Sequence, residues 1–210
     1  MKKSSNQKLK NQILSCNRLN YSIGYKKILK NISFQIFQNE ITLLRGENGS
    51  GKSTLLKLIF QNKYHKDKIQ SDDNLKIGYL SHELGLYSSL SLKENLRYFS
   101  KIGRGDSTKL DLNEYIELFH LKNRIHDPVY SYSKGMKQKA GILCALASSP
   151  NLLLLDEPTS GLDENSCKVF YTFIERFQNY GSILWVTHDA SLEKKFKSKT
   201  LLLVNGELIN

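Results

Sequence analysis

Cysteine is scarce in this chain. The three present, Cys16, Cys144 and Cys167, lie far apart, with no CxxC and no Cys/His spacing. That usage excludes a disulfide framework and a thiolate zinc site, and it fits a reducing compartment. Cys144 lies in the apolar run ILCALA and is expected in the core. Long hydrophobic runs are missing as well. Stretches such as NLLLLD fall far short of the ~20 residues that cross a bilayer. No apolar segment follows the basic N-terminus, so no secretory signal is expected. Internal repeats, heptad runs and low-complexity linkers are also missing, which argues against solenoids, arrays and coiled coils.

Acidic residues are outnumbered, 20 against 31 basic ones, for a net charge of +11 over 210 residues. The excess is scattered through MKKSSNQKLK, KYHKDK and KFKSK, with no long basic block and no interleaved aromatics. It reads as a lysine-rich solvated surface, with weak attraction to an anionic membrane as the second reading, and no specific nucleic-acid partner is expected. The chain is long enough to bury a core without staples.

Residues 1–10 are polar and expected to be a disordered basic tail, and 11–210 a single domain. QILSCNRLNYSI and NISFQIF, rich in β-branched and aromatic residues, predict strands. ITLLRG predicts a strand ending in Gly, and KSTLLKLIF a helix of period near 3.6. LKIGYL is the next strand. Ser91 and Glu94, three apart, form a capping box that starts a helix over SLKENLRYF. Helices are predicted over DLNEYIELFHL, over about 134–148 and near 165–178. Between and after them come the strands NLLLLD and SILWVT, a short helix, and TLLLVNGELI with an Asn205-Gly206 hairpin turn. Fully apolar strands alternating with helices predict an α/β fold with a mostly parallel sheet covered on both faces. The N-terminal strands and the C-terminal tail are expected as antiparallel additions.

Residues 46–54 read GENGSGKST, between an apolar strand and a helix. Gly46, Gly51, Lys52 and Ser53 fit G-x-x-x-x-G-K-[ST], a phosphate loop. Its glycines let successive backbone N–H groups converge with the helix N-terminus into an anion cradle. Glu47, Asn48, Gly49, Ser50 and Thr54 complete the loop. Lys52 supplies a point charge for the β- and γ-phosphates of a nucleotide, and the Ser53 hydroxyl can ligate Mg²⁺.

NLLLLDEP ends a buried-type strand in Asp156 and Glu157. Carboxylates at that end lie where parallel α/β sheets bind ligands. Asp156 suits Mg²⁺, directly or through water, and Glu157 suits a water poised for in-line attack on phosphorus. Two acids after a strand also serve simply to start a helix; it is the phosphate loop that makes them a site.

The phosphate loop alone leaves kinases and GTPases open. YSKGMKQ at 132–138 resembles the signature segment of ATP-binding cassette (ABC) ATPases. DEPTSGLD at 156–163 resembles their Walker B motif and D-loop, and WVTHD at 185–189 their switch histidine. The motifs run in family order from residue 46 to 189. The resemblance implies a P-loop NTPase of ABC-cassette type, with an N-terminal antiparallel β subdomain and a helical signature subdomain at about 86–150. It implies ATP and Mg²⁺ as cofactors, with Ser53 and Asp156 on the metal, and Glu157 and His188 as the catalytic pair. In ABC proteins two such domains face each other head to tail. Ser133, Lys134, Gly135 and Met136 would then contact the partner's ATP, with Asp163 at the seam. Lys134 stands where the usual signature has glycine, and Met136 where it has glutamine.

His82 follows the strand LKIGYL where the family normally carries the Q-loop glutamine, which senses Mg²⁺ and nucleotide and touches the membrane subunit. Histidine can still hydrogen-bond a metal-bound water; a merely tolerated surface histidine is the alternative. SHELGLYSSLSLKENLRYF and the short chain resemble the heme-exporter ATPase of cytochrome c maturation. Only 30 positions separate Lys52 from His82, so the family's antiparallel arm is expected to be trimmed. Tyr25 is the candidate to stack on adenine, with Tyr21 as rival; either could instead be a packed strand residue.

The resemblance implies the ATP-hydrolysing subunit of a transporter, partnered by a second ATP-binding subunit and an integral membrane subunit. It would lie peripherally on the cytoplasmic or organellar-matrix face of a membrane. The cargo could be heme, a lipid, a peptide or a drug. A soluble ABC ATPase acting on nucleic acid or ribosomes usually carries coiled-coil insertions or two fused cassettes, which this chain lacks. A module using ATP only as a switch is disfavoured by Glu157.

Overall fold

The computed structural model describes residues 11–62, 65–102 and 111–209. The expected basic tail at 1–10 lies outside the described residues. Two sheets form the frame. A three-stranded sheet has the order β2-β1-β4, built from β1 (Gln12–Ile23), β2 (Lys26–Phe37) and β4 (Ile69–Ser71), all antiparallel. The arm that ends in β4 is short, with three residues of strand against Leu14–Cys16.

The main sheet has the order β5-β6-β7-β3-β8-β9. Its strands are β3 (Ile41–Arg45), β5 (Ile77–Leu80), β6 (Leu152–Asp156), β7 (Ser182–Val186), β8 (Lys199–Val204) and β9 (Glu207–Ile209). β5, β6, β7, β3 and β8 are parallel neighbours. The C-terminal tail corrects the expectation of a wholly antiparallel addition. β8 runs parallel to β3, and only β9 is antiparallel. The reason is α6 (Ser191–Phe196), a crossover that returns the chain in the direction of β7. Asn205 and Gly206 both take positive φ, 50° and 82°, as a two-residue hairpin turn of the primed type requires.

β6 and β7 are buried at every position, and their alternating side chains feed two cores. Leu152, Leu154, Leu184 and Val186 pack with α1 (Lys52–Phe60) and the antiparallel sheet. Leu153, Leu155, Ile183 and Trp185 pack on the other face, with residues of α4 (Lys134–Leu146), α5 (Glu164–Phe177) and α6. α2 (Leu92–Ile102) and α3 (Leu112–Leu118) lie beside α4 and share that core through Leu92, Tyr115 and Ile116. Cys144 is buried there, and burial pushes its thiol pKa well up. The Ser91–Glu94 box is formed: the Ser91 amide and hydroxyl donate to Glu94 Oε2 at 2.8 and 2.6 Å. Among the described residues no helix is long and apolar enough to cross a membrane.

Candidate active site

The parallel strands deliver their C-terminal ends to one edge, where α/β sheets collect ligands. β3 ends at Arg45 and the loop 46–51 turns into α1. Two glycines are required by crowding. A Cβ on Gly46 would lie 2.1 Å from the Leu203 carbonyl oxygen, and one on Gly51, at φ 108°, would lie 2.8 Å from Leu29. Gly51 caps α1 with no side-chain hydrogen bond, and no acid stands in the first turn. The first N–H groups of α1 therefore remain free to receive an anion.

Lys52 is buried at the start of α1, and its Nζ donates to the Gly46 and Glu47 carbonyls, both at 2.8 Å. Burial lowers its pKa, opposed by the carboxylates of Glu157 and Asp156. Ser53, at the second helical position, is exposed.

Asp156 closes β6 and is only 4% exposed. Burial raises its pKa, the Ser53 hydroxyl lowers it, Glu157 raises it, and His82 and Lys52 lower it. Its Oδ2 is buried with no hydrogen-bond partner. An orphaned carboxylate oxygen next to the Ser53 hydroxyl suits a hard cation that takes its other ligands from phosphate and water. Among the described residues no group of three His, Cys, Asp or Glu could hold a metal by itself, as this mode of binding does not require.

Glu157 leaves the strand with a left-handed backbone, φ 48°, while its N–H stays on the β7 carbonyl of Val186 at 3.1 Å. That reversal turns its carboxylate to His188, which follows β7, and Glu157 Oε1 lies 3.1 Å from His188 Nε2. His82 is exposed just beyond β5. With Ser53 and Asp156 it lines one end of a groove of about 890 Å³ that runs on to Phe60, Tyr87 and Tyr98.

The other sequence candidates lie further out. Ser133 caps α4, its hydroxyl accepting from the Met136 amide at 3.2 Å, and Ser133 and Lys134 are exposed. Asp163 caps α5, accepting from the Ser166 amide at 2.8 Å. Tyr25 sits at the tip of the β1–β2 hairpin, fully exposed, whereas Tyr21 packs against the core. Sequence reasoning missed three residues. Tyr79, facing Asp156 and Glu83, has its hydroxyl pKa pushed up to about 12 by burial and those acids. Gln138 and Lys139 bond the loop after β6; polar residues amid the apolar face of α4 were the available signal.

Phosphate cradle, buried lysine, orphaned aspartate and glutamate–histidine pair at the ends of parallel strands define an α/β nucleoside-triphosphate-binding protein. The family model described as ABC transporter matches residues 29–160, and the chain belongs to that family. It is an ATP-binding ATPase cassette of the P-loop ABC type. A methionine-import ATP-binding protein of Chlamydia felis is 33% identical over 95% of this chain, which spans 65% of that protein's length. A zinc-import ATP-binding protein of Buchnera aphidicola is 35% identical over 91% of the chain and 81% of its own length. Among solved structures, an ATP-binding subunit of an ABC transporter has a TM-score of 0.80 at 25% identity, covering 93% of this chain and 88% of that one. A dimeric bacterial ABC transporter cassette has a TM-score of 0.78 at 22% identity, covering 94% and 97%.

Proposed function

We propose that this chain is the nucleotide-binding subunit that powers an ABC transporter, hydrolysing ATP for a separate membrane subunit. What supports this most is the Glu157–His188 pair, 3.1 Å apart, beside the orphaned Asp156 oxygen and the phosphate loop. Residues 46–54 wrap the phosphates, and Lys52 exchanges its two carbonyl partners for phosphate oxygens. Ser53 and Asp156 would hold Mg²⁺, which when bound would neutralise charge on the phosphates. Glu157 orients and polarises the attacking water, and His188 steadies both Glu157 and that water. Tyr25, free at its hairpin tip, stacks on the base.

Two copies pair head to tail, so that Ser133, Lys134, Gly135 and Met136 of one reach the phosphate held by the other and Asp163 lies at the seam. The membrane subunit meets the groove face at His82. The cassette then lies on the cytoplasmic or organellar-matrix side of the membrane, as one domain over 11–210 with a helical part at about 86–150. No nucleic-acid partner is part of this reading.

The cargo is chosen by the membrane subunit. Heme export is the finer reading, and it rests on the SHELGLYSSLSLKENLRYF segment. The relatives named above are methionine-import and zinc-import ATP-binding proteins, so another cargo is the alternative. Phosphate release from ATP, with Mg²⁺ and with EDTA, tests the enzyme: Mg²⁺-dependent turnover is expected, and its absence at every protein concentration overturns the reading. Co-purification with a detergent-solubilised membrane protein, its cargo then assayed in vesicles, tests the rest.

A further inference from the structure

The outer side of α2 shows solvent two chemistries side by side. Leu92, Asn95, Leu96 and Phe99 turn inward, the first two fully buried. The opposite side carries Lys93, Arg97 and Lys101, all exposed and each four residues from the next. That spacing sets them in one row about 12 Å long on the helix surface. Beside the row stand Tyr98, 40% exposed, and Ile102, 61% exposed.

The basic row has no counterweight among the described residues. The segment whose Ile125 carbonyl accepts from the Lys93 amide pairs its own cations, Lys122 with Glu117 and Arg124 with Asp127. Among those same described residues no carboxylate pairs with Lys93, Arg97 or Lys101. The one acid of α2, Glu94, is turned back onto the Ser91 cap at 2.6 and 2.8 Å. A solvated helix face accounts for the cations but not for the apolar flank. Tyr87 and Tyr98 meet through their hydroxyls at 2.8 Å, and with Ile102 they rim the groove that ends at His82. Exposed tyrosine beside lysine and arginine is the composition that membrane–water interfaces favour, with the ring in the headgroup layer and the charge at phosphate. Three long, unclamped cationic side chains suit a fluid layer of anionic headgroups better than one fixed carboxylate.

We propose that the outer face of α2 is a lipid-contact surface: Lys93, Arg97 and Lys101 sit on anionic headgroups while Tyr98 and Ile102 dip into the interface. The surface borders the groove that the reading above gives to the membrane subunit, so both contacts face the same way. It is this chain's own property, and it stands whether or not a membrane subunit docks there. Each basic residue near an anionic surface is worth about fivefold in partitioning, so three give about a hundredfold. That makes a reversible attachment, short of an anchor. Its effect is to hold the cassette at the bilayer and raise its effective concentration for a membrane subunit.

Co-sedimentation of the full chain with protein-free vesicles is the test, using phosphatidylcholine alone and with about one-third phosphatidylserine. Binding to the mixed vesicles only, falling as salt is raised, is expected. Lys93→Gln, Arg97→Gln and Lys101→Gln together should cut that binding about a hundredfold. A control removes equal charge elsewhere, by Lys194→Gln, Lys197→Gln and Lys199→Gln, all exposed on and after α6. It should change binding by less than about fivefold. Glutamine keeps good helix propensity, so melting temperature and ATP turnover without vesicles should match the wild type for both charge variants. Tyr98→Ser with Ile102→Ser should weaken binding and leave its salt dependence in place; binding equal to wild type would overturn the interfacial part of the surface. Equal losses in the α2 variant and the control make the attraction one of net charge and overturn the surface as a whole. Wild-type binding that is absent, or the same on both vesicles, overturns it too. Neither result touches the transporter reading, whose phosphate-release assay contains no lipid.

Discussion

His188 Nε2 lies 3.1 Å from Glu157 Oε1, across the ends of two adjacent parallel strands. The strand register makes this contact: Asp156 pairs with Val186, so the residues after each strand emerge side by side. A histidine so placed restrains the glutamate carboxylate. His188→Ala should therefore lower kcat by about two orders of magnitude or more, in line with loss of a positioned acid–base group, and leave ATP affinity within about twofold. Stopped-assay phosphate release beside equilibrium nucleotide binding separates the two effects. Equal losses in both would assign His188 to binding.

On the proposed reading, Lys52→Ala removes the phosphate-facing charge from a cradle otherwise built of backbone. Among the described residues its Nζ bonds the Gly46 and Glu47 carbonyls, both in the loop itself, so the fold should survive its loss. Nucleotide binding should become undetectable at millimolar ATP while the far-ultraviolet circular dichroism stays that of the wild type. Turnover near the wild-type rate would dismiss the phosphate-loop assignment.

His82 stands at the end of the groove shared with Ser53 and Asp156. His82→Gln should keep most ATPase activity, because an amide carbonyl can accept the same hydrogen bond from a metal-bound water. His82→Ala should weaken stimulation by the membrane subunit more than it weakens ATP binding. Identical rates for all three proteins, with and without the membrane subunit, would make His82 an ordinary surface histidine.

The capping box of α2 gives a stability test away from the site. Ser91→Ala should cost about 1 kcal/mol, and so lower Tm by about 2–4 °C. Bonds from the Ser91 hydroxyl and amide hold the Glu94 carboxyl below its ordinary pKa. A carboxylate with a lowered folded pKa stabilises above the unfolded value of about 4.3, and that contribution fades as pH falls through the folded value. Glu94→Gln should therefore be less stable than wild type at neutral pH, with the gap closing in acid. A gap that persists undiminished at the lowest folded pH would mean that the carboxylate charge plays no part.

Much of this was legible in the sequence because it depends on local order. The phosphate loop needs glycines where Gly46 and Gly51 meet neighbouring atoms, and β6 and β7 are apolar at nearly every position because both faces are covered. The direction of β8 was not legible. A hairpin signal at Asn205-Gly206 fixes how β9 meets β8, but it is silent on how β8 meets β3, which the α6 crossover decides. Gln138 and Lys139 were missed for a related reason. Their partners lie 20 and 24 positions along the chain, and only the folded loop brings them within reach. Nor does pattern say which of Tyr25 and Tyr21 the hairpin leaves in solvent: Tyr25 is exposed and Tyr21 packs against the core.

Size-exclusion chromatography with light scattering on Glu157→Gln, with and without ATP, tests the central claim most directly. The substitution removes the charge that polarises water and leaves the phosphate loop, Ser53 and Asp156 untouched. On the proposed reading hydrolysis should slow strongly, and a dimer assembled by ATP should stay together. A monomer without nucleotide and twice that mass with ATP, two nucleotides retained per dimer, is the predicted result. A monomer at every protein concentration, with ATP demonstrably bound, would contradict it.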